Sequence, residues 1–276
     1  MRVPKTIKLF INGAFPRTES GRSFAFPATD GSLYANLCDA TRKDLRSAVD
    51  AARAAQEGWA ARSAYNRGQI LYRMAEVSSS RRLEIEETLQ SVWGMKASDA
   101  AYEAEQAMDA FVYFAGFTDK FQQLIGSVNP VSGPHHNFTT AEPVGVVAFA
   151  PASGMGYAAF AAHIAAIIAS GNAVLATMPG KLAPLLAPLA EVLATSDLPS
   201  GVVNLLTESK NDLFKQMATH MEIHAISVGD AAELMDARKL GVENMKRVVT
   251  PRAEGTQLAA ILDFVEYKTV WHPIGQ

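Results

Sequence analysis

Residues 142–178 read EPVGVVAFAPASGMGYAAFAAHIAAIIASGNAVLATM, and this stretch decides the fold. The run from Val144 to Phe149 is almost continuously apolar and rich in valine, the pattern of a strand buried on both faces of a parallel sheet. It breaks at Pro151-Ala152-Ser153-Gly154. A small-residue helix is predicted over residues 157–169, and Gly171-Asn172 stops it. Ala173 to Met178 then reads as a second buried strand. Strand, glycine turn, helix and strand in that order make a βαβ unit, which predicts a right-handed crossover in a doubly wound α/β sheet.

Working outward toward the C-terminus, the alternation continues. Pro184 suits the first turn of a helix reaching Thr195, with Pro188 expected to weaken or bend it. Strands follow at residues 202–206, 223–228 and 246–250, separated by helices at 211–220 and 231–239. The last piece, Tyr267 to Trp271, alternates and is expected to be a strand with one inward face. Toward the N-terminus, Gly126 to Pro134 is rich in turn formers and marks the best boundary, and residues 136–140 are extended. A helix over 97–125 carries Ala107, Phe111, Phe114, Thr118 and Phe121 on one stripe, read as packing. Another covers 66–93 with a break at Ser78-Ser79-Ser80, facing Ile70, Leu71, Met74, Leu83 and Leu89 inward. Thr41 with Asp44 starts a helix whose inward face is Leu45, Ala48, Val49, Ala52 and Trp59. Short extended pieces at 24–26 and 33–37 precede it, and residues 8–11 run into an Asn12-Gly13 hairpin turn.

Composition narrows the function classes. A net charge of -3 over 276 residues leaves no basic footprint for nucleic acid or an anionic membrane. The longest apolar segment, Tyr157 to Ser170, is too short to span a bilayer and carries His163. Residues 1–10 have no apolar h-region, against a signal peptide. One cysteine, Cys38, excludes a disulfide framework within the chain. A reducing cytoplasm is the expected location.

The chemistry is sparse. Gly154-x-Gly156-x-x-Ala159 follows a strand and opens a helix, the order of a dinucleotide fingerprint. Such a loop either cradles pyrophosphate on backbone N–H groups or packs small residues at a strand–helix turn. The second strand ends Ala176-Thr177-Met178-Pro179-Gly180-Lys181, without the carboxylate that would hold a ribose. Six histidines show no ligand spacing on one helix face, so no metal site is expected. Cys38 lies in the N-terminal β region and reads as a structural thiol. Ser153 has no base placed by sequence to activate it, and no Gly-x-Ser-x-Gly elbow is present.

Several segments together resemble the aldehyde dehydrogenase superfamily: Lys8 to Gly13, Glu142 to Val147, Gly171-Asn172, Leu198-Pro199-x-Gly201-Val202-Val203-Asn204 and the closing Glu266 to Trp271. The resemblance covers nearly the whole chain in order. It implies a Rossmann-like parallel sheet flanked by helices, the family's cofactor-domain fold, with a β oligomerisation arm. It also implies sites at which this chain departs. Where the family has Pro-Trp-Asn, its Asn steadying an oxyanion, the chain has Pro151-Ala152-Ser153. Where Lys-Pro-x-Glu grips the cofactor ribose, it has Met178-Pro179-Gly180-Lys181. Where Phe-Thr-Gly-Ser meets the phosphates, it has Ser227-Val228-Gly229-Asp230, and Asp230 opposes a pyrophosphate. The catalytic Glu of Glu-Leu-Gly-Gly falls on Pro251, with Glu254 nearby. The catalytic domain that carries the nucleophilic cysteine is replaced by residues 253–262.

The resemblance therefore implies a non-catalytic subunit, similar to a cysteine-less second half of the long duplicated family members. Residues 1–125 and 144–255 would form the Rossmann-like domain, and 126–143 with 256–276 the arm and closing strand. Ser153, Gly154, Gly156, Met178, Lys181, Gly229 and Asp230 would line a vestigial cleft, with no catalytic residue and no cofactor expected. The alternatives are an NAD(P)-dependent aldehyde oxidoreductase or a nucleotide-binding module. Strand edges at 137–140 and 267–271 would lie open without a neighbour's catalytic domain. The expected partner is a second copy of the chain or a full-length aldehyde dehydrogenase.

Overall fold

Every residue of the strand Val146–Ala150 is buried, as is every residue of Ala173–Thr177, Val203–Leu206 and Ala225–Val228. Strands that bury both faces need a helical layer on each side, and the computed structural model supplies two. It describes residues 5–210, 213–252 and 257–275.

The elements in chain order are β1 (Lys5–Ile7), β2 (Ser23–Pro27), β3 (Leu33–Cys38), α1 (Arg42–Ala60), α2 (Ala64–Ser80), α3 (Arg82–Thr88), α4 (Ala97–Phe117), α5 (Phe121–Ile125), β4 (Ser127–Asn129), β5 (His135–Pro143), β6 (Val146–Ala150), α6 (Tyr157–Ala169), β7 (Ala173–Thr177), α7 (Leu186–Ala194), β8 (Val203–Leu206), α8 (Leu213–Thr219), β9 (Ala225–Val228), α9 (Ala231–Leu240), β10 (Arg247–Val249), α10 (Leu258–Leu262) and β11 (Val265–Pro273). The central sheet has the order β10-β9-β6-β7-β8, all parallel. Helices α2, α4, α6 and α7 contribute to the core on one face; α1, α8 and α9 close the other. Two three-stranded sheets flank this body, β1-β3-β2 and the arm β11-β5-β4.

The local signals work as their chemistry requires. Thr41 and Asp44 form a capping box at α1. Asn12 and Gly13 take φ of 53° and 72°, the positive pair of a two-residue hairpin turn. Helix α6 spans the predicted residues, and Gly171 leaves it at φ 95°. Its C-terminal end is held from outside: Trp59 Nε1 donates to the Ile168 carbonyl at 2.9 Å, and the buried Arg67 donates to that of Ala169 at 3.3 Å.

Five expectations need correction. Leu83 is 74% exposed, because the chain breaks at Arg81 and α3 restarts in a new phase that turns Ile85 inward instead. The helix over 97–125 is two, split where the Thr118 hydroxyl bonds back to the Ala115 carbonyl. The segment from Gly180 to Leu185 is a 3₁₀ turn holding Pro184, and α7 begins only at Leu186. Pro188 therefore falls in the first turn of α7, where its missing N–H has no acceptor within α7 to lose. Strand β11 does not alternate: past Val265 every residue is exposed, since no layer among the described residues covers either face. The start of the helix predicted at 211 lies outside the described residues.

Candidate functional site

The C-terminal edge of the parallel sheet is where this architecture places ligands. Three loops meet there: 151–156 after β6, 178–181 after β7, and 229–230 after β9. Contacts join them. A Cβ built on Gly229 would lie 2.3 Å from the Ala152 nitrogen, so only glycine lets the β6 loop close against the β9 loop. Gly180, at φ 55°, lies against the carbonyl of Ser153, 3.2 Å from a built Cβ.

Six of the seven cleft residues expected from sequence sit along this edge. Ser153, Gly154, Lys181 and Asp230 are exposed; Gly156 and Gly229 are half-buried. Met178 is the exception. Its backbone N–H extends the ladder to the Leu206 carbonyl, so its side chain follows Val174 and Ala176 into the core at 0% exposure. It lines no cleft. Lys181 turns its ammonium over the Trp93 ring, 5.8 Å from the centroid, while its carbonyl accepts from Trp93 Nε1 at 2.9 Å.

Helix N-termini at such an edge attract anions through unpaired N–H groups and the helix dipole. Here the chain supplies the anions itself. At α6, Glu103 reaches across from α4, and its Oε1 accepts the Ala158 N–H at 2.9 Å. The same oxygen lies 2.7 Å from a Cβ built on Gly156, so that glycine makes room for it. At α9, Asp230 Oδ1 accepts the Ala232 N–H at 2.9 Å. Beside Glu103, the Tyr157 phenol is buried with no hydrogen-bond partner among the described residues. Its pKa is raised by burial first and the Glu103 charge second, so it stays protonated.

Beneath the loops lies a second polar pair that the sequence reading passed over. His163 Nε2 and Ser227 Oγ are 2.8 Å apart, with the imidazole against Phe149 at 4.3 Å and Phe264 at 5.4 Å between centroids. A serine beside a histidine is the pairing of a nucleophile and its base. Both are sealed, Ser227 at 0% and His163 at 6% exposure, and burial pushes the imidazole pKa down to about 3. The pair joins β9 to α6 and meets no substrate path. Its one sequence signal was a lone polar residue in an otherwise apolar helix.

Cys38 is buried at 2% on β3, and Thr207 Oγ1 donates to its carbonyl at 2.7 Å. Pro251 precedes Arg252, which grips Asp263 through Nε at 2.8 Å and Nη2 at 2.6 Å, tying the segment after β10 to the end of α10. Glu254 lies outside the described residues. At the opposite edge of the sheet, Lys246 donates to the carbonyls of His220 and Ile223, and burial lowers its pKa to about 8. His224 Nδ1 there accepts the Val146 N–H at 3.0 Å. These groups terminate strands. Among the described residues no three His, Cys, Asp or Glu side chains converge as metal ligands, and no helix is long and apolar enough to cross a membrane. A groove of about 700 Å³ between α2 and α4 and one of about 540 Å³ beside α1 include none of the cleft residues.

Comparison with known proteins places these features in a lineage. The model of the aldehyde dehydrogenase family matches residues 18–263. Cytosolic 10-formyltetrahydrofolate dehydrogenase of Xenopus tropicalis is 30% identical over 253 residues, 87% of this chain and 28% of that protein. Aldehyde dehydrogenase, cytosolic 1, of Elephantulus edwardii is 30% identical over 251 residues, 87% of this chain and 49% of its own. The NAD+ complex of aldehyde dehydrogenase from Bacillus cereus superposes with a TM-score of 0.81 at 27% identity, covering 89% of this chain and 50% of that one. The chain thus spans half or less of the length of these relatives.

Proposed function

The chain belongs to the aldehyde dehydrogenase family, and we propose that it serves there as a non-catalytic subunit, associating through its three-stranded arm with itself or with a catalytic aldehyde dehydrogenase. One observation carries the reading: Glu103 and Asp230, the chain's own carboxylates, occupy the helix N-termini where a dinucleotide would lay its phosphates. The residues present do not fit NAD(P). A carboxylate about 4 Å from a phosphate charge costs about 1–4 kcal/mol in a partly wet cleft, roughly one to three powers of ten in affinity. The buried Met178 offers nothing to a ribose, and Lys181 is spent on Trp93.

The interval that would hold a catalytic domain supports the same reading. Residues 250–264 alone separate β10 from β11, and they include α10 and the Arg252–Asp263 pair. The only cysteine is buried on β3. What the fold does present is the arm, whose Val128, Tyr267, Val270 and Trp271 are all exposed.

Isothermal titration with NAD and with NADP is expected to show no saturable binding up to millimolar ligand, and no NADH absorbance with a panel of aldehydes. A dissociation constant below about 0.1 mM, or turnover by the purified chain, overturns the non-catalytic reading. Sedimentation of the chain, alone and mixed with a catalytic family member, is expected to show a complex in at least one case. A monomer in both overturns the associating role.

A further inference from the structure

The outer edge of β11 carries a pattern that selects its own occupant. Strand β11 pairs antiparallel with β5 from Val265↔Pro143 to Pro273↔His135. The Val144 N–H donates to the Phe264 carbonyl, and the Ile274 N–H to that of Pro134. Those two contacts mark the hydrogen-bonded pairs, which alternate with non-hydrogen-bonded ones along an antiparallel ladder. The even-numbered residues of β11 therefore turn their N–H and C=O groups toward β5. Tyr267, Thr269, Trp271 and Pro273 turn theirs outward, to an edge that no strand among the described residues pairs, while the outward carbonyl of the buried Val265 already accepts from Arg247 Nη1. The side chains are equally uncovered: Tyr267 is 54% and Trp271 60% exposed. An exposed edge of eight residues, Glu266 to Pro273, is a template for another strand.

We propose that the occupant is a second copy of this chain, through antiparallel pairing of β11 with β11 about a two-fold axis centred on Thr269. Outward residues pair only with outward residues, so the axis falls on a residue, and charge chooses which one. Centring on Lys268 sets Lys268 against its own copy, and centring on Val270 sets Lys268 against His272. Centring on Thr269 places Glu266 opposite His272 of the second copy, Tyr267 opposite Trp271, Lys268 opposite Val270, and Thr269 opposite itself. Each is a favourable or neutral cross-strand pair. Pro273, which has no N–H to give, then falls at the end of the ladder, opposite Val265, whose carbonyl Arg247 already holds. On its own β5 side Glu266 faces Glu142 and has Lys268 Nζ 3.4 Å from its carboxylate, and an imidazole from the second copy adds a further partner to this like-charge pair. The two arms become one six-stranded sheet.

This pairing rests on the reading of the arm as the association surface, and the full chain tests it in two ways. Thr269→Pro removes an outward donor, while the Thr269–Thr139 pair on the β5 side is non-hydrogen-bonded and loses no ladder bond. Sedimentation velocity is expected to show a dimer that weakens at least 100-fold in this variant. The single variants Lys268→Cys and Val270→Cys, mixed and oxidised with copper phenanthroline, are expected to give a covalent dimer several times more abundant than either variant alone. Positions 268 and 270 of the two copies form a non-hydrogen-bonded pair, whose Cα atoms are about 4.5 Å apart and within disulfide reach. A dimer untouched by Thr269→Pro, or a stronger self-cross-link of either single variant than of the mixture, overturns the pairing and leaves the associating role standing. A monomer alone at every concentration also overturns it, while a complex with a catalytic family member would still support that role. Cofactor binding would remove the non-catalytic reading without affecting the cross-link.

Discussion

Asn172→Ala is expected to destabilise the chain by about 3 kcal/mol, more than an average substitution, and to lower the melting temperature by about 5–10 °C. The side chain is fully buried and uses both ends. Its Oδ1 accepts the Gly145 N–H at 2.8 Å; its Nδ2 donates to Ser170 Oγ at 2.7 Å, to the Phe264 carbonyl at 2.8 Å and to that of Ile167 at 3.3 Å. One amide thus joins the end of α6, the approach to β6 and the residue before β11. Alanine takes the acceptor from the Gly145 N–H and leaves a small void, and a donor or acceptor stranded in the core costs far more than a made bond gains. Asn172→Asp keeps the acceptor but turns a carboxylate toward two carbonyls, and is expected to be at least as harmful. Urea denaturation measures both; a loss below about 1 kcal/mol for alanine would mean that the network is not holding these segments.

That residue was visible in the sequence as a stop signal and as part of a family-like segment, but not as a junction. Gly171-Asn172 announced the end of a helix, and the glycine does take the left-handed φ expected of it. The role of the asparagine as a three-way junction depends on Gly145 and Phe264, the latter 92 residues away, and no local pattern encodes that. The same division holds elsewhere. The strands of the parallel sheet were legible because burial on both faces leaves an apolar run with a hard stop at each end. Leu83 was misplaced because a one-residue break at Arg81 resets the helical phase, and periodicity across the break has no meaning. Strand β11 was legible as extended but not as bare, since alternation of residue types does not say whether a layer lies above it.

For the candidate site, the sequence showed where the chain departs from the family's pattern but not what the residues there touch. Asp230 was readable as a charge in the wrong position, and the structure gives it a positive use as a helix cap. Glu103 was unreadable: it belongs to α4, and only the packing of α4 on α6 brings it to the Ala158 N–H. Met178 was assigned to the cleft because it stands where the family has the Lys that grips the ribose, although the same reading made it the last residue of the second strand; the ladder does include it and carries its side chain inward. Those outcomes share a cause. Residues at strand ends are positioned by the neighbouring strand and helix, which a linear reading does not contain.

The second large effect is acid lability centred on His163. In the folded chain burial holds its pKa down to about 3, with Phe149, Phe264 and Ser227 around the ring. In the unfolded chain it returns to about 6.5. Between these values the unfolded state binds a proton that the folded state refuses, so stability is complete above about pH 6.5 and falls as the pH drops toward 3. The loss is about 2 kcal/mol at pH 5 and about 3 kcal/mol at pH 4. The pH 5 figure depends only on the unfolded pKa, because the folded value lies well below it. His220 and His224, also lowered by burial first and by Lys246 second, act in the same direction, so the measurement must be a comparison. His163→Gln keeps a hydrogen-bonding group for Ser227 but takes up no proton. Its stability difference between pH 8 and pH 5 is expected to be smaller than that of the parent chain by about 2 kcal/mol, even if its stability at pH 8 is lower. An unchanged difference would show that the ring is reached by solvent in the folded state. Ser227 lies two residues before Gly229, so a charge forced onto His163 acts where β9, α6 and the closed loop at Ala152 meet. The meeting point of these elements thus rests on a neutral core that acid is expected to loosen.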